Sequence, residues 1–239
     1  MKLKFLGVGA ALNTSNFGSS VLIDNKVLID TPPACTALLL RDGIDLTSID
    51  HIVISHPHGD HYFGLPFLLL EYMLAKRNNQ LSIYGTEKLR DNIIDLLRLA
   101  FPESNPEKLI TFSNSTFSEL SLGKYFNTGD LRITPVFAKH SIDTFGFLVK
   151  DSSTTVYYSA DTEYTHDVLA NIEAADHIII DATTRGFTLP GHISLEQVVE
   201  CAKQFPQKKF YVTHRSRYSY SDTNISNMVF PADGDEIVI

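Results

Sequence analysis

A chain of 239 residues with a formal charge of −8 and 44% hydrophobic residues reads as an ordinary globular protein, within reach of one large layered domain. The acidic balance argues against a general nucleic-acid binder, whose phosphate partners demand a basic footprint, but leaves room for a small anion at a local positive site. No apolar run approaches the length of a membrane span, and the two cysteines, Cys35 and Cys201, are isolated and read as buried thiols of a reducing compartment, with a disulfide between them the lesser alternative.

In chain order, residues 3–8 read as a strand. Met1-Lys2-Leu3-Lys4 and the apolar stretch after it loosely imitate a secretory leader. Two glycines interrupt that stretch and no clear cleavage site follows, so a strand entering a glycine turn is the better reading and a cytoplasmic protein is expected. Residues 21–24 and 26–30 form a hairpin about Asn25, and 35–41 a short helix ending near Gly43.

The strand over 51–55 contains the apolar run Ile52-Val53-Ile54 and delivers His56-Pro57-His58-Gly59-Asp60-His61. Pro57 and Gly59 break the regular backbone, so the donors sit on a loop where side chains two apart can converge. Imidazole and carboxylate are the donors that borderline divalent metals prefer. A polar turn with surface histidines would explain one of them; four donors in this order point to metal, and exceed what one tetrahedral ion takes from so short a loop.

Further on, 65–76 is a mostly apolar helix, 81–84 a strand and 87–99 an amphipathic helix. Residues 101–129, rich in Ser and Asn, hold one or two strands and loops. A strand over 131–137 runs toward His140. Residues 145–149 and 154–159 pair across Asp151-Ser152-Ser153, 165–174 is helical, and a buried strand over 177–180 ends at Asp181. Ser194 and Gln197 form a capping box for a helix reaching Phe205. The strand over 210–213 ends at His214, and 236–239 closes the chain. With no repeat, charge run or linker, residues 1–239 read as one domain of two sheets covered by helices.

His140, Asp161 and His214 each stand just past an apolar strand, where layered folds build the rim of a site. The order His-x-His-x-Asp-His, His140, Asp161, His214 resembles the metallo-β-lactamase fold. His58-Gly59-Asp60-His61 before Phe63-Gly64-Leu65-Pro66, Asp181-Ala182-Thr183, Gly191-His192-Ile193-Ser194 and Thr213-His214 with Arg217-Tyr218 resemble its ribonuclease Z-like phosphodiesterase branch. The resemblance implies an α/β four-layer αββα sandwich. It places one ion on His56, His58 and His140 and a second on Asp60, His61 and His214, with Asp161 and a hydroxide bridging them. Zn2+ is the default and Mn2+ the substitute. It makes Asp60, His192 and Asp181 the catalytic candidates. His192 would steady the phosphoryl group and assist the leaving oxygen, its tautomer held by Asp181, where the family typically has glutamate.

Asp30 reads either as a support of the metal shell or as a turn carboxylate. Arg215, Arg217, Tyr218 and Tyr220 read either as substrate contacts or as a solvated loop, and His51, His166 and His177 as structural or surface residues. Only the twenty residues 141–160 separate His140 from Asp161, and one hairpin uses them up. The tRNA-processing members carry a long basic arm in that interval. The expectation is therefore a binuclear metal-dependent phosphodiesterase acting on a small diester, a cyclic phosphate or cyclic nucleotide, by attack of the bridging hydroxide. The alternatives are a ribonuclease Z-like tRNA 3′-processing endonuclease without its arm, a thioester or lactone hydrolase, and a non-catalytic metal-binding module. A homodimer is expected by analogy alone.

Overall fold

The computed structural model describes residues 1–217 and 224–239, so Tyr218 and Tyr220 lie outside the described residues. The first half runs β1 (Lys2–Gly7), β2 (Ser20–Ile23), β3 (Val27–Ile29), α1 (Cys35–Arg41), a 3-10 turn (Leu46–Ser48), β4 (His51–Val53), α2 (Gly59–Tyr62), α3 (Leu65–Leu74), β5 (Leu81–Gly85), α4 (Leu89–Ala100), α5 (Pro106–Phe112) and β6 (Ser115–Glu119). The second runs β7 (Phe126–Thr128), β8 (Leu131–Ala138), β9 (Thr144–Lys150), β10 (Thr155–Tyr158), α6 (His166–Ala174), β11 (His177–Asp181), α7 (Leu195–Gln204), β12 (Lys209–Thr213), β13 (Met228–Val229) and β14 (Glu236–Val238).

One sheet has the order β14-β1-β2-β3-β4-β5-β6 and the other β13-β12-β11-β10-β9-β8-β7. Alternation along the strands separates three apolar layers. Leu22, Leu28, Ile52, Leu81 and Ile83 pack under α1, α3, α4 and α5. Their neighbours Val21, Ile23, Val27, Ile29 and Val53 point the other way, onto Ile133, Phe147, Val149, Val156 and Tyr158 of the second sheet. Ile178, Ile180, Phe210 and Val212 pack under α6 and α7. The result is the four-layer αββα sandwich. Each of these fully buried side chains contributes about 1.5–3 kcal/mol of transfer free energy.

Local chemistry explains the junctions. Asp24 and Asn25 both take positive φ, 50° and 56°, and Lys26 N–H donates to Ile23 O at 2.9 Å, so a tight turn closes β2 on β3 with Ile23 opposite Val27. Within 101–129, helix α5 is an element that the Ser- and Asn-rich composition concealed. Its start is written locally, in the Asn105 side chain accepting from Glu107 and Lys108 N–H and in Pro106 as its first residue. The stretch expected as a metal-binding loop is partly helical, with α2 following His58 as its cap residue.

Direction places the site. β3, β4, β5 and β6 run parallel, as do β10, β11 and β12. β8 and β10 are both antiparallel to β9 and therefore run together. The C-terminal ends of β3, β4, β8, β10, β11 and β12 carry Asp30, His56, His140, Asp161, Asp181 and His214. No helix among the described residues is long and apolar enough to cross a membrane.

Candidate metal centre

β4 continues through Ile54 and Ser55 to His56, which is fully buried. Ser55 O accepts from Phe145 N–H of the second sheet at 3.1 Å, tying the two sheets at the site. His58 stays extended and α2 starts behind it, carrying Asp60 and His61. The turn is held by Thr31, whose N–H donates to His61 O at 2.6 Å and whose carbonyl accepts from Gly64 N–H at 2.8 Å. A Cβ on Gly64 would lie 2.1 Å from Pro32 O, so only glycine admits this approach.

The seven sequence-predicted ligands fall into two groups that share Asp161. In the first, His58 Nδ1 lies 3.1 Å from both His56 Nε2 and His140 Nε2. Asp161 Oδ2 stands 3.8 Å from His56 Nε2 and 3.9 Å from His140 Nε2. In the second, His61 Nε2 and His214 Nε2 are 3.3 Å apart, and Asp60 Oδ2 is 3.6 Å and 3.4 Å from them. Here the other oxygen, Asp161 Oδ1, is 3.5 Å from His61 Nε2 and 3.3 Å from His214 Nε2. A tetrahedron with arms of about 2.1 Å has edges of about 3.4 Å, so both groups fit the donor spacing of a borderline divalent ion.

Two further observations favour a cation. Asp161 Oδ1 is buried without a hydrogen-bond partner among the described residues, a costly state for a carboxylate oxygen. Three imidazole nitrogens also converge in the first group, where His58 Nδ1 faces both others and has only one proton or one lone pair to serve the two contacts.

The candidate ligands are backed by polar groups. Asp30, fully buried, accepts from Ser55 N–H at 2.7 Å, Ser55 Oγ at 2.9 Å, Tyr158 OH at 2.9 Å and His61 Nδ1 at 2.9 Å. Of its two sequence readings, the turn carboxylate gives way to the support. Ser55 Oγ also lies 3.0 Å from His56 Nδ1. His140 Nδ1 donates to Gly191 O at 2.9 Å. Thr183, given no role by sequence reasoning, sits under His214, its Oγ1 2.8 Å from Nδ1, and donates to Asp181 Oδ1 at 2.6 Å. Asp30, Ala160 and His214 take positive φ, 59°, 52° and 49°. Non-glycine residues in this region cost of order 1–3 kcal/mol each, and here they mark strand exits at the site.

The electrostatics differ between the groups. Burial, then the neighbouring histidines, hold His56 well below the usual imidazole range, and burial holds His58 and His140 below it. Burial also pulls on His61 and His214, but Asp161 outweighs it, with Asp30 at His61 and Asp181 and Asp60 at His214. His61 rises well above its usual range and His214 to about 10. Burial would raise the carboxyls of Asp60, Asp161 and Asp181, yet the facing histidines keep all three below the carboxylate range. A field that holds protons on two buried imidazoles also attracts a divalent ion to the same place.

Comparison with known proteins places this geometry in a family. The family model described as Anti-Pycsar protein Apyc1 matches residues 1–234. The chain belongs to that family. Among curated relatives, ribonuclease Z of Oceanobacillus iheyensis is 31% identical over 159 residues, 63% of this chain and 50% of the relative. The chain thus spans about half the length of the curated relatives it matches. Among solved structures, the metallo-β-lactamase fold protein YhfI of Bacillus subtilis aligns with a TM-score of 0.80 at 20% identity, covering 99% of this chain and 98% of that one. The short form of human tRNase Z aligns with a TM-score of 0.77 at 22% identity, covering 100% and 99%. The fold is the metallo-β-lactamase fold.

The remaining sequence candidates separate. His192 Nδ1 meets Asp181 Oδ2 at 3.0 Å and Thr183 Oγ1 at 3.1 Å, and its ring stacks on His214 at 5.4 Å and 9°. Burial lowers this imidazole, but the Asp181 bond and charge outweigh it and the net shift is upward. Arg215 is corrected. Its buried guanidinium donates to Pro231 O at 2.6 Å and lies over Phe230, so it supports the segment before β14 and does not stand on a substrate rim. Arg217 is exposed at the end of the described stretch. His51, His166 and His177 take no part in the ligand groups. Beside Asp60 an open cleft of about 540 Å³ is lined by Phe17, Pro33, Ala34, Gly59 and Phe63.

Proposed function

We propose that residues 1–239 form one metal-dependent hydrolase domain, a binuclear phosphodiesterase acting on a small diester such as a cyclic phosphate or cyclic nucleotide. The observation that carries this reading is His192, fixed at Nδ1 by Asp181 and stacked on a ligand-group histidine. It is not needed as a ligand. A protonated imidazole whose Nδ1–H is held by a carboxylate presents its Nε2–H beside two cation positions, which suits protonation of a departing oxygen.

His56, His58, His140 and Asp161 Oδ2 would hold one ion, and Asp60, His61, His214 and Asp161 Oδ1 the other. When bound, the pair supplies an activated water and polarises a phosphoryl oxygen. Zn2+ suits the nitrogen-rich first group, and Mn2+ can replace it, more readily in the carboxylate-bearing second group. The chain's own residues do the rest. Asp30, Thr183 and the Gly191 carbonyl would fix the ligand rings, and Asp181 would favour the protonated His192 ring and aim its Nε2–H outward. His192 Nε2 has no protein partner among the described residues and is left to meet the substrate.

The interval 141–160 favours a compact substrate, being filled by β9, β10 and their turns. The cleft beside Asp60 offers apolar surface to the organic part of a small ester. The name ribonuclease Z among the relatives raises the second reading, pre-tRNA cleavage; the short hairpin and the charge of −8 weigh against it. A cytoplasmic location accords with two buried free thiols.

The test is a panel of Zn2+- or Mn2+-loaded protein against cyclic nucleotides, a chromogenic phosphodiester, pre-tRNA, a lactone and a thioester. Turnover led by the cyclic and chromogenic diesters is expected. Turnover confined to the lactone or thioester would overturn the proposal.

A further inference from the structure

One peptide unit serves both halves of the site. Gly191 O accepts from His140 Nδ1 at 2.9 Å. A carbonyl only accepts, so this bond puts the proton on Nδ1 and leaves the Nε2 lone pair facing His58 at 3.1 Å. The residue after Gly191 is His192, so any shift of this glycine moves the imidazole held by Asp181. Gly191 has φ +83°, and a Cβ there would lie 2.6 Å from His140 Nδ1. The segment before it is exposed and contains Gly186 at φ +78°, so the glycine needs an anchor.

Glu163 is that anchor. Gly191 N–H donates to Glu163 Oε1 at 3.1 Å. Glu163 Oε2 pairs with Lys139 Nζ at 2.6 Å, and Glu163 N–H donates to Lys139 O at 2.8 Å. Lys139 N–H in turn donates to Thr162 Oγ1 at 3.0 Å. The segments after β8, after β10 and before α7 therefore meet on one carboxylate.

We propose that Glu163 is a positioning residue: by clamping Gly191 it sets the His140 ring for metal binding and the His192 ring for the leaving oxygen. The Lys139 pair is half-exposed and adds little by itself. The directed element is the bond from the Gly191 amide to a charged acceptor. The His192 arm rests on the phosphodiesterase reading; the His140 arm needs only metal binding.

The experiment compares wild type, Glu163→Ala, Glu163→Gln and Lys139→Met, each checked by its melting curve without metal. Equilibrium Zn2+ titration reads the first arm. Glu163→Ala is expected to weaken binding by about 10-fold, the low end of effects on groups that support ligands. Glu163→Gln, which keeps an oxygen acceptor, should restore most of it, and Lys139→Met should stay within a few-fold of wild type.

Turnover at saturating metal reads the second arm. A p-nitrophenyl phosphodiester expels a leaving group that needs no proton, whereas a cyclic nucleotide expels an alkoxide that does. Glu163→Ala should lower kcat about 10-fold for the cyclic nucleotide and little for the nitrophenyl ester, with His192→Ala showing the same split more strongly. Equal losses on both substrates, or a wild-type titration for Glu163→Ala, would overturn the proposal. If wild type turned over neither ester, the phosphodiesterase reading would fall and the titration would still decide the clamp.

Discussion

The two ligand groups sit side by side on Asp161 yet are built from opposite chemistry. Apart from the shared Asp161, the first is all imidazole, backed by a serine hydroxyl and a backbone carbonyl, and its rings are held below their usual pKa. The second contains Asp60 and is backed by the buried carboxylates Asp30 and Asp181, and its rings are held above it. Beyond the shared Asp161 carboxylate, one position is lined by neutral nitrogens and the other by further negative charge. The second would therefore hold a cation more tightly and accept harder ions, while the first would offer nitrogen-rich borderline coordination. Stepwise metal titration should show the two affinities separating.

The largest break comes from the residue the groups share. Asp161→Ala removes one donor from each, so both ions should be lost and turnover should fall by about 10³-fold or more, read by metal analysis and single-turnover kinetics. Next is the backing. In Asp30→Asn the amide no longer offers His61 Nδ1 a full carboxylate, and affinity at the second group should fall about 10–100-fold. Ser55→Ala, which removes the hydroxyl behind His56, should cost the first group only a few-fold, because a neutral hydrogen bond is worth about 1 kcal/mol. Equal losses from the two variants would erase the contrast.

The smallest effect is a shift in pH profile. Asp181 holds the His192 pKa above its ordinary value. A leaving-group acid must be protonated, so turnover persists below that pKa and falls as pH rises through it. Removing the carboxylate charge lowers the pKa, so Asp181→Asn should move the alkaline limb to lower pH. An unmoved limb would separate the pair from the titration.

The convergence of the seven candidate donors was legible in the sequence because they stand at or just past the ends of apolar runs, and strand ends in a layered fold share a rim. The sandwich was legible from alternation and from the two hairpins. What stayed hidden was set by contacts distant in sequence. Thr183 acquires its role only when β11 and β12 bring His214 beside it, 31 positions away, and Glu163 only when the loop before α7 folds back. Arg215 misled for the same reason. Next to a candidate ligand it reads as a substrate contact or a solvated loop residue, but Pro231 and Phe230 draw its guanidinium inward. Helix α5 is a different case, since Asn105-Pro106 was a local start signal submerged in a polar stretch.

The central claim is that Asp161 divides its two oxygens between two cations. Anomalous scattering from crystals of Zn2+- or Mn2+-loaded protein tests it most directly. Two peaks are expected, one among His56, His58 and His140 and one among Asp60, His61 and His214, with Asp161 between them. A single peak, or density away from these groups, would contradict the account.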